Sequence, residues 1–384
     1  MRFGTAALAL VLLTATASAW SPAKYGRAGS IDRNSMHTLR LSTSNDNLAS
    51  IGSNVVLAPS TDAGAFDSLK IGCPRVHRYV REGSEGSEYI MWYHGRNEEL
   101  NSSGDAPPLS TGRIGKATSL NGLQWSKMTE GSASEDAPDV TLGLNKESWW
   151  GFDTGHVGLG QVLLPMSLPS VISEGGVYIM YFMGGSLEEL PVSEFMSEVP
   201  ENMADEKVKG MRMKVGVAMS QDGTTFGRIE GEDPTGACMV PYDKSMGPVT
   251  DAGGKRIEVD EELYCAWPDV VPMTDPSFGP DEFLMYYSTM LKETKEKAIC
   301  FGASKEGFRF GKRGICLRPD AGTMDAKGLS RCTVQENQVF NKNKRWAKSK
   351  GLTMYYEGGK CFICSKVAYL YASTKLSNFM YILL

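Results

Sequence analysis

Short runs of aromatic and aliphatic residues recur along the chain, and four of them share nearly the same pattern. Each run has a methionine at its centre and aromatic residues beside it, a composition that suits a half-buried β-strand. The four runs are residues 89–93, 178–182, 283–287 and 352–356. The pattern therefore predicts four equivalent strands in an all-β chain.

A second repeated phrase follows three of the four runs. It is a strand, then Ser-x-(Asn, Asp or Glu)-Gly, then an aromatic residue after two more positions, and its copies begin at Ile114, Val215 and Ile299. The polar residue before Gly is a hairpin turn signal. Strand, strand, turn and strand at long intervals predict the blades of a β-propeller, with loops longer than in the familiar repeats of ~40–50 residues. A β-sandwich is the alternative, but it gives no reason for the phrase to repeat.

The first fifty residues have the composition of targeting segments. Arg2, an apolar run over residues 6–13 and Ala17-Ser18-Ala19 form a secretory signal pattern, which assigns residues 1–19 to a signal peptide. Residues 20–50 are rich in Arg, Ser and Thr and poor in acids, as in a plastid transit peptide. Together the two segments resemble the bipartite leader of algae with complex plastids. We therefore predict import into the chloroplast stroma, with a secreted protein as the alternative.

Charge and cysteine usage exclude several classes of partner and site. The formal net charge of −5 and the lack of a basic stripe argue against nucleic acid as a partner. The eight cysteines are scattered, unlike a disulfide framework. The four histidines form no zinc motif, so no metal and no cofactor are predicted. Lysines interrupt the apolar C-terminal segment, so no membrane association is predicted for the mature form.

Candidate ligand-contacting residues come from the segments just before each methionine-centred strand. In a propeller these segments form the innermost strands, which line the central funnel. A polar residue in such an apolar strand needs a partner or a role. Asp269 and Arg75 are the clearest cases, and Trp267 and Arg331 of the third and fourth segments are predicted to contact the ligand.

The most distinctive stretch is residues 147–156, which combine acids, a histidine and three aromatic residues. Aromatic rings stack on the apolar faces of sugars, while sugar hydroxyls pair with charged groups. Trp149, Trp150 and His156 are therefore predicted to bind substrate, and Asp153 is a candidate catalytic group. The alternative is a loop whose aromatic residues only pack between blades.

Three longer phrases, residues 151–166, 231–238 and 283–292, resemble plastid proteins of plants and algae. These proteins are assigned to the arabinanase/levansucrase/invertase superfamily of five-bladed β-propellers, which is related to glycosyl hydrolase families 43 and 32. The resemblance covers about residues 71–358. It implies a five-bladed propeller over residues 51–359, in which four blades are recognisable and the fifth is missing.

The resemblance also implies glycosidic chemistry by carboxylates of the inner strands, one ionised and one protonated. Asp153 and Asp269 are accordingly predicted as the acid/base pair, with Glu262 as a third catalytic candidate. The chain departs from the hydrolases in its first inner strand, where Cys73-Pro74-Arg75 stands in place of an Asp.

The expected function is that of a glycoside hydrolase-like propeller acting on a glycan or sugar conjugate by hydrolysis or transfer. In a phosphorylase variant, Arg75, His156 and Arg331 would hold phosphate. The alternative is a non-catalytic propeller that binds a carbohydrate or a protein. Two funnel carboxyls about 5–10 Å apart would favour the enzyme.

Residues 360–384 are atypical for the predicted fold. The segment lacks the turn phrase and a fifth methionine-centred strand, which suggests a truncated or misread end. We expect an open or loosely closed arc of blades that is poorly packed after Gly359, because a missing blade leaves sheet faces exposed. A four-bladed ring is the alternative.

Overall fold

A computed structural model shows that the chain is built of strands, and no α-helix occurs among the residues it describes. These residues are 55–80, 87–97, 111–132, 134, 136–164, 177–196, 199, 201, 205–250, 254–273, 283–323, 325–340, 346–361 and 364–372. The predicted signal and transit peptides lie outside the described residues, as do residues 373–384. No helix in the described part of the chain is long and apolar enough to span a membrane.

The strands form four main antiparallel sheets in chain order. The first sheet contains β1 (Lys70–Val80), β2 (Ser87–Arg96), β3 (Gly112–Ser119) and β4 (Ser126–Lys127). The second contains β5 (His156–Leu163), β6 (Tyr178–Gly185), β9 (Lys214–Ser220) and β10 (Gly227–Ile229). A separate hairpin of β7 (Glu189–Pro191) and β8 (Lys207–Lys209) lies between β6 and β9 in the chain. A short 3-10 helix, Val192–Phe195, lies between β7 and β8.

The second half of the chain repeats this plan. A 3-10 helix, Lys244–Met246, and a hairpin of β11 (Val249–Thr250) and β12 (Arg256–Ile257) come first. The third sheet contains β13 (Ala266–Pro272), β14 (Phe283–Met290), β15 (Lys297–Ser304) and β16 (Gly311–Leu317). The fourth contains β17 (Leu329–Phe340), β18 (Trp346–Cys361) and β19 (Cys364–Ala372).

The repeated turn phrase has one structural cause in all three copies. The hydroxyl of the serine accepts a hydrogen bond from the N–H of the glycine, at 2.9 Å for Gly122, 2.8 Å for Gly223 and 2.9 Å for Gly307. These glycines have φ of 75°, 67° and 85°, a region that L-residues with a side chain rarely adopt. The predicted hairpin turns are thereby confirmed.

Successive sheets pack face to face, and a buried apolar cluster fills each of the three interfaces between them. In the second, third and fourth sheets the methionine of the run packs against the sheet that precedes it: Met180 packs with Trp92, Met285 with Tyr181, and Met354 with Tyr286. This shared packing position explains why the run repeats. The predicted all-β propeller architecture, with four blade-like sheets in the described residues, is confirmed.

The first sheet has no preceding sheet, and its outer face is covered differently. Met91 and Tyr93 pack there against Phe66 from the segment before β1, and the Phe66 and Tyr93 rings stack with centroids 5.8 Å apart. Tyr93 also donates a hydrogen bond to buried Asp67 at 3.0 Å. Within the described ranges no strand pairing joins the first sheet to the fourth, so the arc of blades is not closed by a shared sheet.

Part of the atypical C-terminal segment is an ordered strand. β19 pairs antiparallel with β18, from Leu352 with Ala372 to Cys361 with Cys364. The backbone of β19 thus has a hydrogen-bonding partner in β18. The poor packing expected after Gly359 concerns side chains and stays a prediction.

Candidate functional site

Each of the four inner strands, β1, β5, β13 and β17, contains a β-bulge. The pairing registers shift between Gly72 and Arg75, Leu159 and Gln161, Ala266 and Asp269, and Ser330 and Cys332. The residues inserted at these points include Cys73, Gly160, Trp267 and Arg331. Bulges are common next to binding and active sites because they redirect side chains.

Three of the bulge residues have strained backbones. Cys73, Trp267 and Arg331 have φ of 49°, 54° and 34°, which costs on the order of 1–3 kcal/mol for a residue other than glycine. Such strain persists only where the surrounding structure enforces it, and it clusters at functional sites. Strained bulges recur at the same place in three blades, which makes the region around them a candidate functional site.

All four bulge residues line one pocket of about 180 Å³, which we name the bulge pocket. Arg75, Thr333, Tyr355 and Glu357 are also among its lining residues. The pocket thus combines three aromatic residues (Trp267, Tyr355 and Tyr356), two arginines and a carboxylate. Its lining comes from the first and fourth sheets, from Leu159 and Gly160 of β5, and from Trp267 near the start of β13.

The Arg75 guanidinium forms the floor of the bulge pocket and contacts the other three inner strands. Its Nη2 lies 2.6 Å from Oδ1 of Asp269, its Nε donates to the Gly160 carbonyl at 2.5 Å, and its Nη1 donates to the Thr333 hydroxyl at 3.1 Å. The other oxygen of Asp269 accepts the Val334 N–H at 2.7 Å. Asp269 is fully buried, and burial raises the pKa of its carboxyl, while Arg75 and the Val334 N–H oppose that shift. We name this four-strand contact the axial hub.

Arg331 and Trp267 form one wall of the pocket. The Arg331 guanidinium lies 4.3 Å from the centroid of the half-buried Trp267 ring, in the geometry of a cation–π contact. Arg331 is exposed and also forms a long ion pair of 3.4 Å with Glu357. This arginine is therefore held weakly and can reach a ligand in the pocket.

Further cations lie beside this wall. Lys70 pairs directly across from Arg96 in the β1–β2 register, and Nε of buried Arg96 donates to Nε2 of His94 at 2.8 Å. Burial, with Arg331 nearby, lowers the pKa of Arg96 to about 10. Burial lowers the pKa of His94 well below its ordinary value, and Arg96 adds to the shift, so the imidazole is neutral.

The other predicted carboxylates lie outside the bulge pocket. Fully buried Asp153 accepts a hydrogen bond from Nε of Arg228 at 2.6 Å. Buried Glu262 pairs with Lys312 and accepts the Tyr287 hydroxyl at 2.7 Å. Each of the three candidate carboxylates thus has its own cationic partner, and only Asp269 is next to the pocket. The catalytic roles of all three stay predictions.

The aromatic and histidine residues of the distinctive loop also lie away from the pocket. The Trp149 and Trp150 side chains are 85% and 54% exposed and contact each other edge to face. His156 is buried, its Nε2 donates to the Gly210 carbonyl at 2.8 Å, and burial lowers its pKa to about 4. The structure thus brings Arg75, Trp267 and Arg331 together, and places Trp149, Trp150 and His156 elsewhere.

The pocket residues that were not predicted from the sequence include Cys73, Tyr355 and Glu357. One signal for the site was present, because residues 73–76 read Cys-Pro-Arg-Val and residues 267–270 read Trp-Pro-Asp-Val. The two phrases occupy the same bulge in the first and third blades, and their charged residues pair across the axis. No equivalent signal marks Tyr355 and Glu357, which lie on the second strand of the fourth sheet.

The described residues contain no group of three or more His, Cys, Asp and Glu side chains that could hold a metal ion. The cysteines whose side chains the structure describes are free thiols. Burial raises the pKa of the Cys73 thiol despite Arg331 and Arg75 nearby, which keeps it protonated.

No protein-family model and no curated protein matches the chain. Solved structures similar to it include a glycosyl hydrolase from Bacteroides ovatus, with 12% identity, coverage of 84% of this chain and 76% of that chain, and a TM-score of 0.42. A GH32 β-fructofuranosidase from Bombyx mori has 9% identity, coverage of 80% and 47%, and a TM-score of 0.42. An N-acetylgalactosamine deacetylase from F. plautii, in complex with blood group B trisaccharide, has 10% identity, coverage of 74% and 62%, and a TM-score of 0.40.

The chain thus spans less than two thirds of the deacetylase and about half of the fructofuranosidase. The solved structures similar to it include glycoside hydrolases. The propeller architecture itself is evident from the four sheets and their packing.

Proposed function

We propose that the protein is a carbohydrate-active propeller that holds a glycan or sugar conjugate in the bulge pocket. The observation that carries the proposal is the convergence of four inner-strand bulges on one pocket with aromatic and charged walls. Trp267 and Tyr355 offer ring surfaces for the apolar face of a sugar, and Arg331 and Glu357 offer donors and acceptors for its hydroxyls.

The finer proposal is hydrolysis or transfer of a glycosidic bond. What supports it is the presence of two carboxylates at the site: Glu357 in the wall and Asp269 beneath the floor. Glycosidic chemistry needs such a pair, with one carboxyl protonated.

One observation favours non-catalytic binding as the second candidate. Asp269, Asp153 and Glu262 are each buried and each paired with a cation, which leaves them little freedom to exchange protons with a substrate. Under this second proposal the axial hub is structural, and the pocket above it recognises carbohydrate without cleaving it.

The test combines a glycan-binding screen with an aryl-glycoside activity screen of the full-length protein. Trp267→Ala should abolish glycan binding, whereas Trp149→Ala, which changes an exposed tryptophan outside the pocket, should leave it unchanged. Turnover that is lost in folded Asp269→Asn would support the enzyme. Equal turnover by wild type and Asp269→Asn would remove Asp269 from the mechanism, and binding without turnover would support the second candidate.

The proposed location of this activity is the plastid. Its support is the composition of residues 1–50, a signal peptide followed by an acid-poor, arginine-rich segment.

A further inference from the structure

Cations outnumber carboxylates around the bulge pocket among the residues that the structure describes. Arg75 and Arg331 line it, and Arg96 and Lys70 lie beside it, whereas the carboxylates are Asp269 and Glu357. Burial lowers the pKa of Lys70, and repulsion from nearby Arg96 and Arg331 adds to the shift. Mutual repulsion of this kind is relieved when an anion binds among the cations.

The two lining arginines differ in what they can do. Arg75 donates to Gly160, Thr333 and Asp269 within the axial hub, and its side chain is only 11% exposed. Arg331 is exposed, with Glu357 as its ion-pair partner at 3.4 Å, longer than a charge-assisted hydrogen bond. Arg331 is therefore the arginine that can turn its guanidinium to a ligand.

A buried donor beside Arg96 is a second, independent observation. Because the Arg96 Nε–H donates to His94 Nε2, the proton of the neutral imidazole lies on Nδ1. His94 is 5% exposed, and its Nδ1 has no hydrogen-bond partner among the described residues. A buried N–H without an acceptor is unfavourable, and a ligand oxygen or a water would offset that cost.

We propose that the bulge pocket selects an anionic sugar, whose carboxylate or phosphate group binds Arg331. Arg96 and Lys70 lie nearby and add positive charge. This inference rests on the carbohydrate site proposed above and names its substrate class. The planar guanidinium of Arg331 suits bidentate pairing with either group. The sugar ring then lies against Trp267, the ring that the Arg331 guanidinium contacts in this structure.

Glu357 acts as the internal competitor of the ligand. Its carboxylate pairs with Arg331 and repels an incoming anion. Its removal should therefore strengthen binding of an anionic sugar, whereas removal of Arg331 should weaken it. In a pocket built for neutral sugars, removal of the Glu357 charge would not strengthen binding.

The experiment measures binding of glucose, glucuronate and glucose 6-phosphate to the full-length protein by calorimetric titration and ligand-observed NMR. Wild type should bind one or both anionic sugars more tightly than glucose, and added salt should weaken the binding of the anionic sugars only. The tighter of the two anions identifies the group recognised, carboxylate or phosphate. Arg331→Gln should weaken binding of that anionic sugar about tenfold or more. Arg331→Lys should lose less affinity, and Glu357→Gln should gain affinity.

Arg309→Gln is the matched control, because Arg309 is an exposed arginine in an ion pair with Glu232 on another part of the surface. It should leave all three affinities unchanged. Equal affinity of wild type for glucose and both anions would overturn the anionic preference but leave the carbohydrate site standing. Binding of none of the three, together with a negative glycan screen, would overturn both proposals.

Discussion

Removal of the charge of Asp269 should weaken the whole propeller, because the axial hub connects all four inner strands. Both carboxylate oxygens act as acceptors, one for Arg75 at 2.6 Å and one for the Val334 N–H at 2.7 Å. Asn has the same shape but only one acceptor oxygen, so Asp269→Asn turns an NH2 toward one of these donors and leaves Arg75 without its counterion. Loss of one partner of a buried ion pair costs about 3–5 kcal/mol.

The assay is urea unfolding of the full-length protein followed by tryptophan fluorescence and circular dichroism. Asp269→Asn and Arg75→Met should each lower the free energy of unfolding by about 3–5 kcal/mol. The double variant Arg75→Met/Asp269→Leu should be less destabilised than the sum of the single changes, since no buried charge remains alone. Asp260→Asn, which breaks an exposed ion pair with Arg318, is the control and should change little.

Two results would refute this reasoning. Single variants that lose less than about 1 kcal/mol would show that the pair is solvated, as surface ion pairs are. Strictly additive losses in the double variant would show that Arg75 and Asp269 do not stabilise one another.

Three further predictions concern other parts of the chain. Burial lowers the pKa of His77 and of His156 to about 4, so these rings stay neutral in the fold while the unfolded chain takes up protons near pH 6.5. The free energy of unfolding should therefore fall by about 2 kcal/mol per histidine between pH 7 and 5. An unchanged urea midpoint would contradict this. Gly160→Ala should destabilise the protein by about 1–3 kcal/mol, because a Cβ there would collide with the Pro268 carbonyl oxygen. A melting temperature equal to that of wild type would refute the close approach of β5 and β13. A fluorescent reporter fused behind residues 1–50 should enter the plastid, and its secretion would refute the predicted leader.

The repeating elements of the fold could be predicted from the chain because their chemistry is local. A serine that caps a turn at a positive-φ glycine acts within four residues, so the same phrase marks the same turn in three blades. The methionine-centred strands could be recognised for a related reason. Those of the second, third and fourth sheets fill the same position against the preceding sheet, and that shared environment selects the same residue types.

The site could be predicted only in part, because its residues meet through long-range packing. Arg75 and Asp269 stood out as charges in apolar strands, but nothing in the chain showed that they pair with each other. Asp153 and Glu262 looked equally available, and it is the folded chain that places Arg228 and Lys312 beside them. Which carboxylates are neutralised depends on strands far apart in sequence, since a side chain's electrostatic environment is set by its neighbours in space.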